Sequence, residues 1–219
     1  MADSYNEDDE LQKLKDWWRQ NGLALVLGVG AGLGAILAWQ GWDAYVDNRA
    51  REAASQYAEL RGLLAEGELG DPARAAVQSL REDYAATPYA AQGALMYAQR
   101  LVEAERYDDA LAQLTWVVDY ADQTAFRHIA RVRRARLLWA QDKAEEALAL
   151  LEGDRPDAFV SLYGELAGDI HAAAGDREAA RDAYRRALAH LPEDADAAPL
   201  QRKLDAVAVE ESATDEEAA

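Results

Sequence analysis

Leu166-Ala-Gly168-Asp-Ile-His-Ala-Ala-Ala-Gly175-Asp-Arg-Glu-Ala-Ala180-Arg-Asp-Ala-Tyr184-Arg-Arg-Ala187-Leu-Ala-His-Leu-Pro192 is the stretch that decides the fold. A small residue lies inside a helix-forming run, and Gly175-Asp176 then breaks it. The second run places Ala180 near its start, an aromatic residue four positions on, Ala187 three after that, and a Pro at its end. Gly168 and Ala180 let two helices cross at short distance, and Tyr184 fills the wedge toward the next pair. Pro192 stops the second helix because it has no N–H to donate and its ring clashes with the preceding turn.

The same order recurs upstream. Ala76, Ala110, Ala147 and Ala180 are 34, 37 and 33 residues apart. Tyr107-Asp-Asp-Ala110-Leu-Ala-Gln-Leu114 and Ala144-Glu-Glu-Ala147-Leu-Ala-Leu-Leu151 keep the Ala and the bulky residue four later but lose the Pro. Ala73-Arg-Ala-Ala76-Val-Gln-Ser-Leu80, closed by Thr87-Pro88, keeps the Pro but has Asp83 where a second small residue belongs. Breaks fall at Gly67-Glu-Leu-Gly-Asp-Pro72, Thr87-Pro88, Glu105-Arg106, Gln141-Asp142, Gly153-Asp-Arg-Pro156, Gly175-Asp176 and Leu191-Pro192. Period and order together resemble the tetratricopeptide motif. An all-α helical-hairpin solenoid of four pairs is therefore expected over residues 43–204. Composition agrees, because half of the chain is hydrophobic with Ala dominant, and aromatic residues make up only 8%.

Ahead of the repeats, the 23 residues from Gln20 to Trp42 carry no charge. A helix of that length covers about 34 Å, enough to cross a hydrocarbon core of about 30 Å. Trp17 and Trp18 before it, and Trp39 and Trp42 closing it, suit the two headgroup layers as interface anchors. The leader, residues 1–19, carries six acids and does not look like a cleavable signal, so an uncleaved signal anchor is expected. Gly28, Gly30, Gly32 and Gly34 form small-xxx-small pairs, which either seat another membrane helix or simply fill the span. They lack the strand, soluble helix and distal acid of a dinucleotide-binding fingerprint. Lys13, Lys15 and Arg19 before the span against Arg49 and Arg51 after it favour a cytoplasmic N-terminus. The last stretch, residues 205–219, has six acids and no base and reads as a disordered acidic tail.

Acidic leader, Glu10-Leu-Gln-Lys-Leu-Lys-Asp-Trp-Trp-Arg-Gln-Asn-Gly22, glycine-rich span, Asp43-Ala-Tyr45, Ala53-Ala-Ser-Gln-Tyr57 and repeat domain together resemble the YfgM-like family, ancillary subunits of the SecYEG translocon in Gram-negative inner membranes. The resemblance covers residues 10–204, and the Trp-Trp-x-x-Asn-Gly junction is its most specific part. It implies a single-pass inner-membrane protein with a cytoplasmic N-terminus and a periplasmic repeat domain. Such a protein would help pass emerging, unfolded client polypeptides from SecYEG to periplasmic chaperones, beside a membrane-anchored chaperone of the peptidyl-prolyl isomerase class. An envelope-assembly or division scaffold, or a cytoplasmic-facing adaptor, would share the same span and repeats.

Chemistry is scarce. A net charge of −18, from 41 acidic and 23 basic residues, disfavours nucleic acid. Zero Cys removes thiolate nucleophiles and Cys-ligated zinc. His128, His171 and His190 have no ligand spacing, so neither metal nor cofactor is expected, and no nucleophile or phosphate-loop motif points to an enzyme. Asp108-Asp109 and Glu145-Glu146 open helices, where they complement the dipole. Arg127, Arg131 and Arg134 form an i, i+4, i+7 row that reads as a salt-bridged face, with an acidic-partner patch as the alternative. Binding in a solenoid falls to the first helix of each pair. Register with the small core residues brings Leu95, Gln99 and Val102 from one such helix, and Val132, Arg136 and Trp139 from the next, to the concave face. Leu95 and Trp139 also suit core positions.

Overall fold

The computed structural model describes residues 4–153 and 155–217, and among these it contains nine helices and no strand. The chain divides into two units, Met1–Arg51 and Glu52–Ala219.

Helix α1 (Ser4–Ala65), which makes up the first unit as far as Arg51, runs well beyond the expected span on both sides. Nothing between Trp42 and Ala65 interrupts a helix, since this stretch has no Pro and its lone glycine, Gly62, lies in open surroundings. From Leu23 to Val46 the apolar side chains are exposed on every side of the helix, Leu23 at 76% and Trp39 at 72%. A helix apolar all round belongs to a core or a bilayer, not to water. Its most apolar window has a mean hydropathy of 2.0. The Trp-Trp-x-x-Asn-Gly junction has a local explanation. The Trp18 ring lies over Gly22 so closely that a Cβ there would sit 3.1 Å from it, and the Asn21 amide donates to the Trp17 carbonyl at 3.1 Å. A Cβ at Gly28, Gly30, Gly32 or Gly34 would meet open space.

The second unit is a stack of helical hairpins. The end of α1 is followed by α2 (Asp71–Asp83), α3 (Pro88–Glu103), α4 (Tyr107–Tyr120), α5 (Thr124–Trp139), α6 (Ala144–Leu151), α7 (Asp157–Ala173), α8 (Arg177–Ala189) and α9 (Ala198–Glu217). Proline occupies the first turn of α2 and α3, where its missing N–H costs nothing. The turns inside the four hairpins are built alike, each on a residue with positive φ: Gly67 (81°), Glu105 (59°), Asp142 (62°) and Gly175 (79°). In each, the residue after it donates back five positions, Glu68 to Leu63 at 2.9 Å, Arg106 to Leu101 at 2.8 Å, Lys143 to Leu138 at 3.0 Å and Asp176 to His171 at 2.9 Å. This pairing satisfies carbonyls that the helix end would otherwise leave bare.

Ala110, Ala147 and Ala180 are fully buried and Ala76 is nearly so. Gly168 is tightly packed, for a Cβ there would overlap the Tyr184 ring, whose Cζ would lie at 2.9 Å. The core is laid down in three blocks. The first joins the end of α1 to α5 through Leu60, Leu80, Tyr97, Leu101 and Val117. The second joins α5 and α6 to α7, and the third packs α9 on α8 through Tyr184, Leu200 and Val207.

Two features depart from the sequence reading. The chain turns between α4 and α5 at Ala121-Asp-Gln123 without Gly or Pro; extended backbone there is held by burial of Ala121 in the core. At the other end α9 is helical across Leu204, and Val207 is buried, so packed structure reaches into the stretch read as a disordered tail. Leu200, Leu204 and Val207 recur at helical spacing, which gives this acidic segment one apolar stripe to lay on α8.

Candidate partner-binding site

Between α3 and α5 the second unit opens into a groove of about 360 Å³, floored by Leu114 of α4. Its α3 wall presents Leu95, Ala98, Gln99, Val102 and Glu103, and its α5 wall Arg133, Arg136, Leu137 and Ala140. The interior is apolar and the rim polar, the composition of a surface that seats a peptide segment.

The rotation of α5 about its axis decides what enters the groove. On the far side of α5, Val132, Ala135 and Leu138 join the second core block with Tyr163, Leu166 and Ile170 of α7. His128 adds a polar pin: its ring stacks on Phe159 at 4.5 Å between centroids and its Nδ1 shares a 2.8 Å hydrogen bond with the Tyr163 hydroxyl. Arg155 covers the other partner, its guanidinium 5.0 Å from the Tyr163 ring centroid. Burial, with the nearby Arg131, Arg127 and Arg155 charges adding to it, holds His128 below the usual imidazole range, and burial raises the Tyr163 phenol. The pair is therefore neutral near pH 7. With that face committed to α7, Arg133, Arg136 and Ala140 are carried round to the groove.

On the α3 wall the rim is internally tied. Glu103 accepts from Arg100 at 2.7 Å and from Gln99 at 3.1 Å, and these bonds hold its carboxyl below the usual range.

Leu95, Gln99, Val102 and Arg136 thus meet across one groove. Val132 and Trp139 do not: Val132 is buried and Trp139 half-buried against the second core block. The expected α5 face was a residue out of register, about 100° of rotation, because three apolar residues at 132, 135 and 138 claim the core side. Arg133 and Leu137 are the residues that this register hid. Their signal was present in the i, i+4, i+7 spacing of Arg133, Leu137 and Ala140. The expected salt-bridged face on α5 is also corrected, since no ion pair among the described residues involves Arg127, Arg131 or Arg134. The helix contains no acid within reach of i, i+3 or i+4 pairing.

A second cleft of about 350 Å³, between α2 and α4, is lined mainly by polar side chains, several of them bonded to one another. Arg106 is held by Asp109 at 2.6 Å and the Leu69 carbonyl at 3.0 Å, and the Tyr97 hydroxyl donates to that same carbonyl at 3.1 Å. Arg81 lies 5.0 Å over the Trp116 ring and donates to Gln113 at 3.1 Å. Of the described His, Asp and Glu residues no three come together in a way that could hold a metal ion.

The family model for a tetratricopeptide repeat-like domain matches residues 15–209. A curated protein of Neisseria gonorrhoeae named "Ancillary SecYEG translocon subunit" is 30% identical over 215 residues, 94% of this chain and 100% of its own length. The chain belongs to this family. Members of the same name from Escherichia coli, 28% identical over 180 residues, and Haemophilus influenzae, 25% identical over 187 residues, cover 82% and 85% of it, and 85% and 91% of themselves. The match spans the apolar helix as well as the repeats, so the two units of this family member are similar to the relatives as one arrangement in sequence.

Proposed function

We propose that this protein is a non-catalytic inner-membrane scaffold of the SecYEG translocon. Its α1 span would anchor it with the N-terminus cytoplasmic, and its repeat domain would hand emerging secretory and envelope polypeptides to periplasmic chaperones, including a membrane-anchored one of the peptidyl-prolyl isomerase class. The observation that carries the reading is the full-length match to a relative named for the translocon. The groove supports it, because an apolar trough with a polar rim holds a chain segment without chemistry at any bond. Gly28, Gly30, Gly32 and Gly34, where a Cβ would meet none of the described residues within 4 Å, suit close packing by a translocon helix. Trp17, Trp18, Trp39 and Trp42 would seat the span at the two headgroup layers.

Purification of the full-length chain in mild detergent is expected to recover SecYEG together with a periplasmic chaperone. Recovery of cell-wall or division proteins without SecYEG would overturn the translocon assignment in favour of an envelope scaffold. Alkaline phosphatase joined after Ala219 is expected to be active, and an inactive fusion beside an active cytoplasmic reporter would reverse the orientation.

A further inference from the structure

The groove between α3 and α5 carries charge that the domain does not use for itself. Helix α5 holds Arg127, Arg131, Arg133, Arg134 and Arg136 and no Asp or Glu, within a chain of net charge −18. Other arginines of the domain are spent within a turn of themselves, Arg74 on Asp71 at 2.9 Å, Arg100 on Glu103 at 2.7 Å and Arg106 on Asp109 at 2.6 Å. Arg133 and Arg136 are exposed, one turn apart on the groove wall, and have no ion-pair partner among the described residues. The acid across from them, Glu103, is already taken by Arg100 and Gln99 of its own helix. Two unmet guanidinium groups therefore stand beside the apolar side chains of Leu95, Ala98 and Leu137 above the Leu114 floor.

Resting on the partner-binding reading above, we propose that this groove selects an acidic segment of a partner polypeptide, one that places carboxylates against Arg133 and Arg136 and apolar side chains on the floor between α3 and α5. Guanidinium groups bind carboxylates through paired N–H donors, which fixes register as well as charge. In a molecule this acidic, a local positive wall also repels nothing that it is meant to receive: like-charged surface elsewhere turns acidic chains away, and the groove admits them at one place. A basic or uncharged segment would gain the floor but leave both arginines unpaired.

The test uses the full-length protein in detergent micelles and two fluorescent peptides of equal length, one alternating Glu with Leu and Ala, the other with Lys in place of every Glu. Fluorescence anisotropy is expected to show binding of the acidic peptide that weakens as salt rises. The double variant Arg133→Glu, Arg136→Glu is expected to lose at least about tenfold in affinity, since it replaces attraction by repulsion. Arg133→Lys with Arg136→Lys should bind between the parent and the double reversal, because an ammonium keeps the charge but not the paired donors, and Arg134→Glu, on the same helix but outside the groove, should retain full binding. Circular dichroism melts keep loss of fold apart from loss of charge. Equal or tighter binding of the Lys peptide, or an acidic-peptide affinity unmoved by the double reversal, would overturn the proposal. So would a tighter grip on the peptide after neutralising Glu210, Glu211, Asp215, Glu216 and Glu217 as amides, for that would make this chain's own tail the occupant. Retained SecYEG recovery beside absent peptide binding would end this proposal and leave the scaffold reading standing.

Discussion

Glu105 and Asp142 occupy the left-handed region at φ 59° and 62°, where the other two hairpin turns use glycine. A side chain costs energy there because its Cβ crowds the adjacent carbonyl, and the cost is greater for Glu than for Asp, whose short polar side chain tolerates the conformation. Glycine removes that cost but loses more entropy on folding, so the net gain is partial. Glu105→Gly is expected to stabilise the domain by about 0.5–1 kcal/mol, and Asp142→Gly by less. Urea unfolding of the two variants against the parent reads both, and a lower midpoint for Glu105→Gly would refute the argument. The break at Glu105-Arg106 was legible in the sequence as a loss of helical periodicity. That Glu105 itself takes the glycine conformation was not, since nothing in its residue type asks for it and the hydrogen bond from Arg106 to Leu101 imposes it.

At the level of the element, α5 is the decisive helix, and its orientation hangs on the His128–Tyr163 hydrogen bond and the three apolar residues beside it. The sign of its pH response follows from burial. With the His128 pKa lowered in the folded protein, both states are neutral above about pH 6.5 and the full stability is present. As pH falls below that value the unfolded chain takes up a proton that the folded one refuses, and stability declines until the lower folded pKa is passed. His128→Gln keeps a polar side chain without this titration. The expected result is that the stability difference between parent and variant shrinks from pH 7.5 to pH 5.5. A difference that stays constant over that range would mean that His128 titrates freely in the fold. The α3 face of the groove could be read from Leu95, Gln99 and Val102, because its apolar residues sit at a single helical spacing. On α5 two rows compete, the apolar 132-135-138 and the mixed Arg133-Leu137-Ala140, and only the arrival of α7 chooses between them.

For the whole molecule, the apolar side chains of α1 from Leu23 to Val46 are exposed on every side of the helix. Water is a poor solvent for it, and a bilayer accepts it with its backbone already hydrogen-bonded. The chain is expected to stay with the membrane through alkaline washing and to need detergent for release. Arg in place of both Val29 and Leu33 should shift it toward the washed fraction, at a cost of about 3 kcal/mol for each arginine near the centre of the span. Release of the unaltered chain by washing alone would remove the anchor. The sequence by itself determined the all-helical class, the apolar rod and the four hairpin steps, because these rest on hydrophobic period, turn residues and small residues at a fixed repeat, all of which act within one hairpin. Tertiary structure alone decided the turn at Ala121-Asp-Gln123, the reach of α9 to Val207 and the side of α5 that faces the groove. Each of those depends on which surface a neighbouring hairpin covers, and burial by a distant segment leaves no mark in local periodicity.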